Sequence, residues 1–236
     1  VKSFGGSNED YFKSVIETQD KGFVAVGYSN STDAGFANNG SNDAIIVKYD
    51  KYGNQQWLEN FGGSNDDYFY TVIETQDKEV IVVGNSNSTN AEFTTKGNLD
   101  SIIIKYDSEG NQQWIKSFGG SKNEYFESVI ETKDKELVVV GHSSSTNVGF
   151  TNNGVSDAII VKYDKDGNQL WVNNFGGYDG DYFYLVTETQ DKGFVAVGDS
   201  WSANAGFVYK GYGDAIIVKY NSEGKQEWVR SFGGSN

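Results

Sequence analysis

The tripeptide Phe-Gly-Gly returns five times in this chain, and successive copies are always 57 residues apart. Its phenylalanines are Phe4, Phe61, Phe118, Phe175 and Phe232. Four repeats therefore align without a gap, and all four carry the same residue at 24 of the 57 positions. The repeats are residues 5–61, 62–118, 119–175 and 176–232. A fixed period of this size predicts one supersecondary unit that is copied along the chain, with neighbouring copies completing each other's core.

Each repeat contains four runs of β-forming residues separated by turn residues. In the first repeat the runs are residues 12–18, 23–28, 43–49 and 55–61, here called strands A to D. Four antiparallel strands copied at this period are typical of a β-propeller blade. We therefore predict an all-β protein, a single β-propeller domain over residues 1–236 built from four four-stranded blades. The blades either close into a four-bladed ring or form part of a larger ring or array; we favour closure, because an open arc exposes strand edges.

Several large or charged residues recur in every repeat, and recurrence favours a structural role because an active site is normally singular. We interpret the tryptophans of strand D as wedges between adjacent blades; they are Trp57, Trp114, Trp171 and Trp228. We expect structural hydrogen bonds or ion pairs from a glutamate on strand A and a lysine on strand C, which are Glu17, Glu74, Glu131, Glu188, Lys48, Lys105, Lys162 and Lys219.

A recurring aspartate directly precedes strand C, as Asp43, Asp100, Asp157 and Asp214. We expect these carboxylates to cap loop amides. Calcium binding together with Asp10, Asp67 and Asp181 stays open as an alternative. The segment 164–168 resembles the start of an EF-hand loop but has no glutamate at its twelfth position, and we interpret it as a hairpin turn. No catalytic residue and no cofactor is predicted.

Composition excludes several classes of function. The formal net charge of −14 repels phosphate backbones and argues against a nucleic-acid partner. The chain has no cysteine, so disulfides and thiolate metal sites are impossible. No apolar run approaches the ~18 residues of a membrane span. The single histidine, His142, has no recognisable metal or catalytic partners. We expect a monomer that is not an enzyme.

The repeats resemble a known family. The segments FGGSNDDYF (61–69), Val83-Gly84 and DAIIVKYDKDGN (157–168) are similar to the motifs of the bacterial seven-bladed β-propeller repeat family. Members of that family occur in arrays on secreted and cell-surface proteins. The resemblance implies a propeller fold and an extracellular or cell-surface location, and it implies no catalytic residues. This chain departs from the family in having four repeats rather than seven.

The fourth repeat differs from the others in its connections. The B–C and D–A links leave the same face of a blade, and they hold nearly all the variation between repeats, as binding loops on a rigid scaffold do. In the fourth repeat these links carry Tyr178, Trp201, Tyr209 and Tyr212. Aromatic rings flanked by Asp and Asn are typical of sugar and peptide recognition. We predict these four residues as a ligand-binding site; the alternative is that the rings pack on each other to close the last blade.

The sequence thus predicts a non-enzymatic binding or display module at a bacterial surface, with a glycan or a protein as partner. Two alternatives remain. One is a lectin-like, carbohydrate-binding propeller, and the other is a polysaccharide-cleaving hydrolase that uses a pair of carboxylates on the loop face.

Overall fold

A computed structural model describes residues 3–89 and 95–234, and in these residues the chain forms sixteen β-strands and no helix. The strands make four antiparallel four-stranded sheets, each in sequence order, arranged as repeated blades. The prediction of an all-β protein built from four-stranded blades is confirmed. The chain divides into two compact units, Val1–Phe118 and Gly119–Asn236. Among the described residues, no helix is long and apolar enough to cross a membrane.

The first unit holds blades 1 and 2. Blade 1 consists of β1 (Asp10–Glu17), β2 (Phe23–Ser29), β3 (Asp43–Tyr49) and β4 (Gln55–Phe61). Blade 2 consists of β5 (Asp67–Glu74), β6 (Val80–Ser86), β7 (Asp100–Tyr106) and β8 (Gln112–Phe118).

The second unit holds blades 3 and 4. Blade 3 consists of β9 (Glu124–Glu131), β10 (Leu137–Ser143), β11 (Asp157–Tyr163) and β12 (Gln169–Phe175). Blade 4 consists of β13 (Asp181–Glu188), β14 (Phe194–Ser200), β15 (Asp214–Tyr220) and β16 (Gln226–Phe232).

Within each unit, the first strand of the second blade packs against the preceding blade. In the first unit β5 lies against β1, β2 and β3, and in the second unit β13 lies against β9, β10 and β11. Each interface buries aliphatic residues from both blades, with Ile46 facing Phe69 and Val72 in the first unit. Because both faces of these strands are covered, the sequence shows continuous apolar runs rather than strict alternation.

Two of the four recurring tryptophans, Trp57 and Trp171, link adjacent blades within their units, as predicted. Trp57 Nε1 donates a hydrogen bond to the Ser108 carbonyl of blade 2 at 3.0 Å. A Cβ at Gly110 would lie 2.8 Å from the Trp57 ring, so the C–D turn of blade 2 packs directly on this indole. Trp171 contacts Gly224 of blade 4 in the same way and lies 6.0 Å from the Phe194 ring. These two indoles are therefore interblade wedges, whereas Trp228 of blade 4 is partly exposed.

The recurring lysines and glutamates have structural partners. Lys48 binds Asp20 of the A–B turn at 2.9 Å, and Lys219 binds Asp191 at 3.1 Å. Glu74 accepts a hydrogen bond from the Gln19 amide of the preceding blade at 2.7 Å. Glu188 likewise accepts one from the Lys133 amide at 3.0 Å. The lysines thus tie strand C to the A–B turn of the same blade, and the glutamates join neighbouring blades.

The B–C and D–A links meet at one end of the blades. The Asp67 amide donates to the Asn42 carbonyl at 2.8 Å, which joins the B–C link of blade 1 to the start of blade 2. The Asp181 amide donates to the Ser156 carbonyl at the same distance in the second unit. Part of the B–C link of blade 2, residues 90–94, lies outside the described residues. This shared end positions the site described next.

Candidate ligand-binding site

An open cavity of about 620 Å³ lies at the loop end of blade 4, inside the second unit. Aromatic side chains dominate its lining, together with one carboxylate and one aliphatic residue. The residues that matter for recognition are Val155, Asp179, Tyr182, Trp201, Tyr209 and Tyr212. Three of the four residues predicted as a binding site, Trp201, Tyr209 and Tyr212, are thus brought together around a single cavity.

Buried hydrogen bonds fix the backbone on both sides of Trp201. The buried Asp181 carboxylate accepts hydrogen bonds from the Ser200 hydroxyl and from the Ser202 hydroxyl, the second at 2.7 Å. It also accepts one from the Gly177 amide at 2.9 Å. The Trp201 amide donates to the Gly180 carbonyl at 2.9 Å. These bonds hold the main chain on either side of the indole, so the ring is oriented without being buried.

The other wall of the cavity is a tight loop before β15. Gly211, Tyr212 and Gly213 all have positive φ, at 106°, 55° and 84°. Tyr212 is the one described non-glycine residue outside the A–B turns with positive φ, a conformation that costs free energy and often marks a functional loop. Asp214 anchors the loop by accepting a hydrogen bond from the Lys210 amide at 3.0 Å.

Gly213 brings this loop onto the indole. A Cβ at Gly213 would lie 2.9 Å from Trp201 Cε2, so only glycine allows the backbone to pack against the ring. The two walls of the cavity are therefore in direct contact, and the loop fixes the position of Trp201 from a second side.

The aromatic residues remain accessible. Trp201 is 46% exposed and Tyr212 is 79% exposed, while Tyr209 is half-buried. Tyr178 is 74% exposed but does not line the cavity. Its amide donates to Oδ1 of Asn204, on the B–C link of blade 4, at 2.9 Å. Tyr178 therefore directly precedes the lining residue Asp179 in the sequence, but its own side chain does not line the cavity.

The equivalent positions of blades 1 and 2 show what Trp201 replaces. Asn30 Oδ1 accepts a hydrogen bond from the Glu9 amide at 2.8 Å, and Asn87 Oδ1 accepts one from the Asp66 amide at 2.7 Å. Each asparagine ties its strand end to the D–A link. An indole has no acceptor for such a bond. Blade 4 has therefore exchanged a structural cross-link for a partly exposed ring.

Sequence reasoning missed three lining residues. Tyr182 recurs as Tyr11, Tyr68 and Tyr125, so it carried no signal of a special role. Val155 belongs to blade 3 and enters the cavity because neighbouring links meet. The acidic Asp179 replaces Asn8, Asn65 and Lys122 of the other repeats, and that replacement was a signal available in the sequence.

The recurring aspartates before strand C cap loop amides, as expected. Asp43 Oδ2 accepts from the Asn39 amide at 3.0 Å, and Asp157 Oδ2 accepts from the Asn153 amide at 3.1 Å. Burial raises the pKa of Asp157 and of Asp181. The Asp10 carboxylate binds the Ser29 and Ser31 hydroxyls. No group of three or more His, Cys, Asp or Glu side chains placed to hold a metal occurs within residues 3–89 and 95–234.

The segment that resembles an EF-hand loop is a hairpin turn. Asp164 Oδ1 accepts hydrogen bonds from the amides of Asp166 at 2.9 Å and Asn168 at 2.8 Å. Asn168 Nδ2 also donates to Asp164 Oδ2 at 2.8 Å, and this bond together with those from the amides holds the pKa of Asp164 below its usual value. The carboxylate is thus occupied within its own turn.

No protein-family model matches the chain. A 162-residue stretch, 60% of this chain, is 25% identical to the regulatory protein FlaEY of Caulobacter vibrioides and covers 16% of that protein. An 87-residue stretch is 31% identical to an uncharacterized WD repeat-containing protein of Acanthamoeba polyphaga mimivirus and covers 6% of it. The chain therefore spans only a small part of either relative.

Two solved structures resemble the chain along most of its length. A protein of unknown function from Bacteroides caccae is 14% identical, with a TM-score of 0.35, over 94% of this chain and 81% of that one. A rhamnogalacturonan lyase of Bacillus licheniformis is 13% identical, with a TM-score of 0.36, over 97% of this chain and 54% of that one. The four antiparallel blades themselves define the class, which is a β-propeller-like repeat protein.

Proposed function

We propose that this chain is a non-enzymatic module that binds a glycan in the blade 4 cavity. The observation that carries the proposal is the meeting of Trp201, Tyr209, Tyr212 and Tyr182 around one open cavity that also contains Asp179. The apolar faces of a sugar ring stack on aromatic side chains, and its hydroxyls bind carboxylate and phenol oxygens. A volume of about 620 Å³ is of the size that holds a small ligand.

A binding role fits the cavity better than hydrolysis. Glycoside hydrolysis usually needs two carboxyl groups about 5–9.5 Å apart on either side of the bond. Among the lining residues the structure describes, Asp179 contributes the one carboxylate. The buried Asp181 is engaged by Ser200, Ser202 and Gly177.

The setting that we propose is extracellular or at a bacterial cell surface. The support is the resemblance of the repeats to the bacterial seven-bladed β-propeller family. The net charge of the chain is −14. That charge favours a neutral or cationic ligand over an acidic polymer.

An array of defined oligosaccharides tests the proposal, with the purified chain as probe. We expect selective binding to a small set of neutral glycans. A parallel assay for sugar release from polysaccharides separates the hydrolase from the binding module. Release of sugars from a polysaccharide would show that the chain is a hydrolase rather than a binding module. If no glycan on the array binds, and titration of the chain with glycans in solution also shows no binding, the proposal is wrong.

A further inference from the structure

The first two strands of blade 1 carry an uncovered apolar surface. Phe12 is 44% exposed, Val15 is 64% exposed and Phe23 is 38% exposed. The same positions in blade 4 are Phe183, Val186 and Phe194, and each is at most 8% exposed. In blade 4 these positions are covered by blade 3. Blade 1 thus presents a face that in blades 2 and 4 is buried against the preceding blade.

This face contains a cavity of about 670 Å³, which we call the blade 1 socket. Its walls include Phe12, Val15, Phe23, Tyr49 and Gly53. Two of these positions have informative equivalents. Phe23 corresponds to Phe194, which lies 6.0 Å from the Trp171 ring, and Gly53 corresponds to Gly224, on which Trp171 packs. The socket therefore has the residues that receive a strand D tryptophan in the second unit.

The last blade carries the complementary surface. Trp228 is 37% exposed and Ile217 is 37% exposed, whereas Ile46 and Ile160 at the position of Ile217 are fully buried. Trp228 corresponds to Trp57 and Trp171, and each of those two indoles packs on the C–D turn of the next blade. Trp228 in the second unit and the blade 1 socket in the first unit are thus both partly exposed, and each has the shape that the other receives at the interfaces within a unit.

We propose that a second copy of this chain docks its blade 4 on blade 1, with Trp228 in the blade 1 socket. The contact repeats the interface seen between blades 1 and 2 and between blades 3 and 4. By that equivalence, Trp228 Nε1 of the copy donates to the Lys51 carbonyl, as Trp57 Nε1 does to the Ser108 carbonyl. The copy's Gln190 amide donates to Glu17, as the Gln19 amide does to Glu74.

Charge supports the same docking. Lys192 of blade 4 binds Asp134 of blade 3 at 2.8 Å. The equivalent pair in the proposed contact is Lys21 of blade 1 and Asp191 of the copy. Each side of the contact is therefore complementary to the other, and neither is complementary to itself. Such a contact is heterologous and joins copies head to tail.

Phe4 already occupies part of this interface. Its ring lies 5.2 Å from Phe12, as Phe61 lies 6.2 Å from Phe69. The residues 3–6 and 231–234 are identical in sequence, so Phe232 of the copy and Phe4 compete for one position. The proposed docking depends on Trp228 and Ile217. It does not depend on whether Phe4 or Phe232 of the copy occupies the position beside Phe12.

Analytical ultracentrifugation over a wide dilution series tests the proposal. We expect the mass to rise above the 26.0 kDa of one chain with increasing concentration. Val15→Asp and, separately, Trp228→Ala should abolish this rise while the β-sheet circular dichroism is retained, because both side chains are partly exposed within one chain. Leu170→Asp, a change at a 49% exposed residue of blade 3, is the matched control and should associate normally. A wild-type mass of one chain at every concentration would overturn the proposal.

Cross-linking identifies the occupant of the socket. The chain has no cysteine, so Glu17→Cys and Gln190→Cys each introduce a single reactive thiol. A mixture of the two variants with a short bis-maleimide should give a covalent dimer that contains one copy of each. A double variant that carries both cysteines in one chain is treated in the same way. If the mixture does not cross-link while the double variant links within one chain, the chain's own blade 4 fills the socket. That result would refute docking of a second copy.

Discussion

At Trp201, orientation comes from the neighbouring serines rather than from burial of the ring. Ser200 and Ser202 both donate to the buried Asp181, and every described blade uses the same arrangement of a strand A acid and the serine that ends strand B. The motif thus fixes the main chain, and the side chain between the two serines is free to change. Blade 4 uses that freedom to present an indole.

His142 offers a residue-scale test of burial, since it is held between the rings of Tyr125 at 4.6 Å and Tyr182 at 4.7 Å. Desolvation lowers its pKa from 6.5 to about 4. Between those two values the unfolded chain binds a proton that the folded chain does not. This contribution to stability is therefore present above pH 6.5 and is lost as the pH falls toward 4.

We predict that His142→Asn, which installs the residue that blade 2 has at Asn85, removes this dependence. Relative to the variant, the wild type should lose about 2–3 kcal/mol of unfolding free energy between pH 7 and pH 4.5. Urea denaturation at both pH values measures the difference. Parallel pH profiles for the two proteins would show that His142 is protonated in the folded state.

At the scale of the strand, one glycine makes the bulged pairing of strands A and B possible. The register between β13 and β14 shifts after Phe183, and a Cβ at Gly198 would lie 1.8 Å from the Tyr182 carbonyl oxygen. Gly27, Gly84 and Gly141 meet the same carbonyl in the other blades. This close approach explains why a glycine follows the last valine of strand B in all four repeats.

We predict that Gly84→Ala destabilises the first unit by at least about 2 kcal/mol, because the added methyl group must displace main-chain atoms. Thermal unfolding followed by circular dichroism measures the loss. Gly206→Ala is a useful comparison, since nothing lies within 4 Å of its Cβ and the cost there is backbone strain alone. Equal losses in the two variants would contradict the proposed steric cause.

The interblade tryptophans belong to the same scale. Trp171→Ala should lower the unfolding free energy by about 3 kcal/mol, the low end of the usual cost for a large aromatic residue, because the indole is partly exposed. The neighbouring Leu170→Ala, at a 49% exposed side chain, should change it by less than about 0.5 kcal/mol. Unchanged unfolding of Trp171→Ala in urea would mean that this indole is not a wedge.

For the molecule as a whole, the sequence predicted the strands well because four copies report the same pattern. The predicted residues 43–49 and 55–61 coincide with β3 and β4 as observed. The membership of the cavity was harder to predict. Val155 reaches the cavity from another blade. Tyr182 recurs in all four repeats, so the sequence did not distinguish it from a structural residue. The partner of Lys48, Asp20, recurs as an aspartate in all four repeats, so the sequence carried a signal for this pair that was missed. In blades 2 and 3 the equivalent lysines bind Glu79 and Glu136, at a position where blades 1 and 4 have glycine.

The central claim is that blade 4 binds a ligand through Trp201, and a paired mutation tests it most directly. Trp201→Ala removes a wall of the cavity, while Tyr178→Ala removes an equally accessible ring that lies outside it. Both variants are compared with the wild type on the oligosaccharide array and by thermal unfolding. We predict that Trp201→Ala abolishes glycan binding with little change in melting temperature, and that Tyr178→Ala retains binding. Intact binding by Trp201→Ala, or a loss of melting temperature as large as that of Trp171→Ala, would contradict the account.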